Sequence, residues 1–200
     1  VVISVVGRLV RELKLEGILA AIGAIGRLAR TSGGPLPVLL IVGDGSARAQ
    51  VDAAAAVVNG VGPELSVRVL GQLPDPRPVY DAADISLGMG GSALRALAFG
   101  KPLYVQGERG FWKTLTQDSH RVFAGSGWDG VGDGGSSGGA LVAELPDLAS
   151  SRARAQEQLA SFHPGVLRRL NPHRYPAGLD VTLHRRREAL VEAALDGRVE

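Results

Sequence analysis

Residues 84–102 read Asp84-Ile-Ser-Leu-Gly-Met-Gly-Gly-Ser-Ala-Leu-Arg-Ala-Leu-Ala-Phe-Gly-Lys-Pro102. The order is strand, glycine turn, short helix, stop. Ala83 to Leu87 is a mostly apolar run suited to a buried strand. Gly88, Gly90 and Gly91 follow at once; they admit positive φ and leave their N–H groups bare of Cβ cover. Ser92 is the expected N-cap, and Ala93, Leu94, Ala96, Leu97 and Ala98 favour helix. Gly100 stands where a C′ residue belongs, and Pro102 blocks continuation. A glycine turn feeding a helix N-terminus suits an anion, above all a phosphate. Glycine at such a corner also serves simply to make a sharp bend. The helix-end field contributes roughly 0.3–1 kcal/mol to an exposed anion and up to about 2 kcal/mol to a partly buried one.

Upstream, Val1–Val6 is a β-branched run that reads as a buried strand. Apolar residues then fall at 15, 18, 19, 22, 25 and 28, which predicts a helix over about 16–30, ended by Thr31-Ser-Gly-Gly-Pro35. Val38–Val42 is the second strand, and Gly43-Asp44-Gly45 is a turn in which Asp44 has no chemistry of its own. Ser46 is the expected cap of a helix over about 47–59. Val67–Leu70 is the third strand, Gln72–Pro78 a rigid proline-rich loop, and Val79–Ala83 a helical turn. Downstream, Leu103–Val105 is a strand, and a short helix is expected at about 111–117. Gly125 to Gly139 holds eight glycines and predicts a mobile loop outside the core. Strands alternating with helices over short links imply an α/β fold with a doubly wound, mostly parallel sheet. Gly7-Arg8, Gly43–Gly45, Gln72 and Gly88–Ser92 then share its carboxyl edge, where ligands of such sheets bind.

The chain has 200 residues, enough for one sizeable core with an appendage. Residues 1–145 are expected to form the ligand-binding domain, and residues 146–200 a helical extension broken by Pro146, Pro164, Pro172 and Pro176. No cysteine is present, which excludes disulfides and thiolate chemistry, and no apolar run approaches the ~20 residues of a membrane span. The net charge is +2. Arg185-Arg-Arg187 lies on an amphipathic run over Leu183–Leu195; it reads as a solvated or packed helix face, with contact to an anionic membrane as the alternative. The four histidines lack metal-ligand spacing, and neither Gly-x-Ser-x-Gly nor HExxH occurs. Arg outnumbers Lys, with abundant Ala and Gly, as in GC-rich bacterial genomes. The opening Val1-Val-Ile-Ser-Val, without Met or signal pattern, suggests a piece of a longer cytoplasmic protein.

Three segments carry a resemblance: Val6-Gly-Arg-Leu-Val with Lys14 and Gly17, Leu40-Ile-Val-Gly-Asp-Gly45, and Tyr80-Asp-Ala-Ala-Asp-Ile85 with Ala96-Leu-Ala-Phe-Gly-Lys-Pro102. In this order they resemble the C-terminal, donor-binding, Rossmann-like domain of GT-B glycosyltransferases of group 1 (family 4). The resemblance covers most of residues 1–106 and fades beyond about 110. It implies a UDP- or GDP-linked sugar as substrate, no cofactor, no donor metal, retention at the sugar, and an acceptor domain on the N-terminal side. It implies that Arg8 and Lys14 hold the diphosphate, Lys14 standing one position later than in the common pattern. Backbone amides of Gly88, Met89, Gly90, Gly91 and Ser92 meet the same phosphates, and Gln72 and Leu73 lie near the base. The family carries Glu-x7-Glu across this turn and helix, the second Glu gripping the ribose. Leu87 and Arg95 stand there instead. A guanidinium only donates, so Arg95 faces a phosphate or the chain is an inactive relative kept for binding.

One other class fits part of the pattern. Gly88-Met-Gly90-Gly-Ser-Ala93 matches a dinucleotide G-x-G-x-x-A, with Glu108 twenty residues beyond Gly88. That motif sits mid-chain after three βα-like units, with no companion catalytic group. Nucleic acid is not an expected partner.

Overall fold

The structure is a computed structural model that describes residues 1–12, 14–31, 37–61, 66–108, 111–131 and 141. Five parallel strands and one antiparallel strand form a single sheet. In chain order they are β1 (Val2–Val6), β2 (Val38–Val42), β3 (Val67–Gly71), β4 (Ile85–Gly88), β5 (Leu103–Gln106) and β6 (Trp112–Thr114). Their spatial order is β3-β2-β1-β4-β5-β6, and only β6 runs antiparallel. The helices are α1 (Leu15–Thr31), α2 (Arg48–Asn59), α3 (Arg77–Ala82), α4 (Gly91–Ala98) and α5 (Gln117–Gly125).

Both sheet faces are covered, as the continuous apolar strands require. Ile3, Val5, Leu39 and Ile41 point into one core with Ile18, Ile22 and Ile25 of α1 and Val51 of α2. Val2, Val6, Leu40 and Val42 point into the other with Val79 of α3, Ala93, Ala96 and Leu97 of α4, and Phe123 of α5. Fully burying an Ile or Leu side chain contributes about 1.5–3 kcal/mol. The strand order reverses between β1 and β4. There Ser4 and Ser86 face each other in register and share a buried 2.8 Å hydrogen bond. The Val2 N–H donates to an Asp84 carboxylate oxygen at 2.9 Å, and the Asp84 N–H donates back to the Val2 carbonyl at 2.8 Å.

Several local expectations need correction. Ser46 does not cap α2: the N-cap is Ala47, with no side-chain cap bond. Ala47 is held instead by its N–H, which donates to the Leu9 carbonyl at 2.8 Å. The proline loop ends earlier than expected, because Arg77 and Pro78 already belong to α3; proline near a helix start loses no helical bond. No helix forms over 111–117. Trp112–Thr114 pairs with Tyr104–Gln106 as β6, and α5 starts at Gln117 behind a Thr116–Ser119 capping box. The first part of the glycine-rich stretch is packed. Trp128 is only 8% exposed, and Gly130 bridges to Gly107. The Gly130 backbone lies against the Phe111 ring, where a Cβ has no room. Residues 132–139 of that stretch, and the expected extension over 146–200 with Arg185–Arg187, lie outside the described residues.

Candidate functional site

The carboxyl ends of β1, β2 and β3 are laced into one rim. The Gly7 N–H donates to the Val42 carbonyl at 2.9 Å, and the Gly43 N–H to the Gly71 carbonyl at 2.7 Å. The Leu9 N–H donates to the Asp44 carbonyl at 2.9 Å, which fixes the turn carrying Arg8. Asp44 is a turn residue, as its sequence context suggests: one carboxylate oxygen accepts the Gly45 N–H at 2.8 Å. A cleft of about 690 Å³ opens over this rim at the switch point between β1 and β4. Arg8 and Lys14 line it from the β1–α1 connection, Gln72 and Leu73 from the β3–α3 loop, and Gly91, Ser92 and Arg95 from α4.

The glycine turn is built differently from the expectation. The N-cap of α4 is Gly90, at φ 54° and ψ −129°, a conformation that favours glycine. Ser92 lies inside the first turn. Its hydroxyl donates to the Met89 carbonyl at 2.8 Å and accepts the Met89 N–H at 3.2 Å. The Gly90 N–H is spent on the Trp128 carbonyl at 2.8 Å, and the Ser92 N–H on the Met89 carbonyl at 3.2 Å. Gly88 and Met89 are buried beneath the turn, and neither they nor Gly90 line the cleft. Of the five turn residues expected at the phosphates, Gly91 and Ser92 therefore face the cleft. The turn amide at the cleft that takes no partner among the described residues is that of Gly91. At the other end, α4 closes as expected. The Gly100 N–H donates to Leu97 and the Lys101 N–H to Ala96, with Gly100 at φ 62°.

The cations are placed by packing. The Lys14 ammonium lies over Gly7, 2.8 Å from where a Cβ would stand. Its carbonyl accepts the Gln106 side-chain amide at 2.8 Å, and Gly17 in α1 leaves room for that side chain. Burial lowers the Lys14 pKa below the usual lysine value; the Arg8 cation adds to this and Asp129 opposes it. Burial and the Glu108 carboxylate push the Asp129 carboxyl up, against the Gly130 backbone and Lys14. Arg95 is exposed at the cleft. Beside it the Tyr80 hydroxyl is buried without a partner of hydrogen-bonding geometry, and burial raises its pKa to about 12 against the opposing pull of Arg95. Among the described residues neither Arg8, Lys14 nor Arg95 forms an ion pair with a carboxylate within 4.0 Å. Three cations and a helix N-terminus thus line one cleft whose single lining carboxylate among the described residues is Asp44.

The sequence profile of "Glycosyl transferases group 1" matches residues 1–115, more than half of the chain and every residue that lines the cleft. The chain belongs to the group 1 glycosyl transferases. A second profile, the C-terminal domain of nicotinate phosphoribosyltransferase, matches residues 136–187, almost all outside the described residues. No curated protein matches the chain by sequence. Among solved structures, the chain is similar to a GtfA/B complex at 16% identity and a TM-score of 0.51, over all of this chain and 36% of that one. It is also similar to a TarM variant from S. aureus in complex with Fondaparinux, alpha-GlcNAc-glycerol and UDP, at 12% identity and TM-score 0.46, over 84% and 34% of the two chains. A third likeness is to the N-terminal domain of trehalose-6-phosphate phosphatase from Candida albicans, at 13% identity and TM-score 0.46, over 98% and 42%. The GtfA/B likeness concerns the fold alone. This group 1 chain spans about a third of the length of the GtfA/B and TarM chains.

Sequence reasoning missed three parts of the site in this group 1 domain. Asp129, whose charge acts on Lys14, lies in a stretch whose glycine content reads as a mobile loop. Gln106 acts on Lys14 across 92 positions of sequence, with no local pattern to mark it. Tyr80 stands out in the sequence only within the family motif at residues 80–85, though its ring stacks on Phe99 and its hydroxyl lies by Arg95. Leu87, at the first of the missing Glu positions, is buried in the core. No helix among the described residues is long and apolar enough to cross a membrane.

Proposed function

We propose that this chain is the donor-binding half of a glycosyltransferase that takes a sugar from a UDP- or GDP-linked donor. The observation that carries the reading is the cleft: Arg8, Lys14 and Arg95, unpaired with carboxylates among the described residues, face it together with the α4 N-terminus. The diphosphate lies between Arg8, Lys14 and the Gly91 amide. The base lies toward Gln72 and Leu73. In the reaction the bond from the anomeric carbon to the diphosphate oxygen breaks, and a bond to the acceptor oxygen forms. The acceptor proton leaves to a base elsewhere in the protein. The electron pair goes to the diphosphate, and the cations and amides stabilise it in place of a metal. Each charge-assisted hydrogen bond is worth roughly 1.5–3 kcal/mol. Retention at the sugar and a cytoplasmic location follow from the family resemblance and are part of the proposal. So is the division into a donor domain over residues 1–145 and an extension over 146–200.

A second reading has one specific observation behind it. Leu87 and Arg95 occupy the two carboxylate positions, so a binding module without transfer activity fits the same cleft. Calorimetric titration with UDP, GDP and NAD is the test. The expected result is saturable binding of UDP or GDP in the micromolar-to-millimolar range, about −8 to −4 kcal/mol. Lys14→Gln weakens it by about tenfold or more. NAD binding alone, or silence from all three nucleotides, overturns the donor reading.

A further inference from the structure

The cations of the cleft stand on two elements, Arg8 and Lys14 in the β1–α1 connection and Arg95 on α4. Arg8 and Lys14 form the first centre: Arg8 acts on Lys14 strongly enough to help lower its pKa. Arg95 forms the second. It stands on a different element, α4, beside the buried Tyr80 hydroxyl. Along α4, four residues of helix carry Arg95 about 6 Å beyond Gly91. It faces the same cleft as Leu73 and Pro76 of the β3–α3 loop. In the donor reading, which gives the Gly91 amide to the diphosphate and the β3–α3 loop to the base, the second centre then falls at the ribose between them. A neutral ribose gives it little to hold: guanidinium has five donors and no acceptor, and its best partners are planar anions and phosphate. No carboxylate within ion-pair distance among the described residues neutralises it. In dinucleotide folds, a carboxylate at the ribose selects a free 2′-hydroxyl, while an Arg accommodates a 2′-phosphate.

We infer that this cleft takes a nucleoside diphosphate whose ribose bears a further phosphate, at the 2′ or 3′ position, with Arg95 as the residue that selects it. The inference rests on the donor reading for the placement of the diphosphate, and adds a second anionic group to the ligand. A single good Arg–phosphate contact supports a preference of about tenfold or more.

The test compares GDP with guanosine 3′-phosphate 5′-diphosphate, and UDP with its 2′- and 3′-phosphorylated forms, by calorimetric titration of the full chain. Wild-type protein is expected to bind a ribose-phosphorylated nucleotide at least tenfold tighter than its parent. In Arg95→Gln this preference collapses to within about twofold; in Lys14→Gln both ligands weaken and the preference persists. Arg95 is exposed, so its replacement removes no packed side chain. Equal affinity of parent and phosphorylated nucleotide in wild-type protein overturns the inference while leaving the donor reading intact. So does an Arg95→Gln variant that keeps the preference. If no nucleotide of either kind binds, both fall together.

Discussion

At the scale of single residues, Lys14 is the most informative side chain of the cleft. Its folded pKa lies below the ordinary lysine value of 10.5, so it sheds its proton earlier than a free lysine. In the window between the two values the unfolded chain holds more protons, and Lys14 makes folding more favourable as pH rises through it. Ligand affinity moves the opposite way, because a diphosphate needs the ammonium. Titrations in pH steps are expected to show affinity falling by up to about tenfold per pH unit above the free-protein pKa. The onset is expected below 10.5, and Lys14→Arg is expected to flatten the profile, since Arg keeps its charge there. A flat wild-type profile would remove Lys14 from the diphosphate. The place of Arg8, Lys14 and Arg95 at the cleft was legible because each lies within eight positions of a strand end that local pattern locates. Asp129 and Gln106 were not, because what brings them to Lys14 is sheet order, which no short pattern encodes.

At the scale of elements, β1 and β4 meet through a polar pair inside an otherwise apolar ladder. The Ser4–Ser86 bond satisfies two buried hydroxyls that would each cost about 1–3 kcal/mol if orphaned. Ser86→Ala alone is expected to destabilise by about that amount, read from urea unfolding. Ser4→Ala with Ser86→Ala together is expected to lose less than the sum of the singles, because no orphan remains. Strict additivity would show that the bond contributes nothing. Helix α4 was readable almost to its ends, because alanine, leucine, Gly100 and Pro102 all say the same thing. The short strand β6 was not readable. Its three residues acquire their conformation from pairing with Tyr104–Gln106, and an apolar run of that length carries no period of its own.

At the scale of the whole molecule, the ligand edge is a rim in which neighbouring turns occupy each other's space. Gly43 adopts φ 142°, and a Cβ there would run into the Gly7 carbonyl. Gly90 adopts φ 54°, and a Cβ there meets nothing within 4 Å. Gly90→Ala is therefore expected to cost about 1–3 kcal/mol, from backbone strain alone. Gly43→Ala is expected to cost more, because it must also push the β1 turn aside. It should disturb nucleotide binding through Arg8 even where the chain still folds. Thermal unfolding of the two variants side by side checks the order, and equal losses would contradict it.

The hydrogen bond from Gly90 to Trp128 ties the glycine turn to a segment thirty-eight residues later, beyond the end of the matched family stretch at residue 115. The unit that heredity marks and the unit that holds together are therefore not the same length. A chain ended after Leu115 would keep every family motif and lose the strut behind its own glycine turn, together with the Trp128 indole and Phe123 ring that close that side of the core. The cleft's precision thus depends on a region that sequence kinship does not recognise.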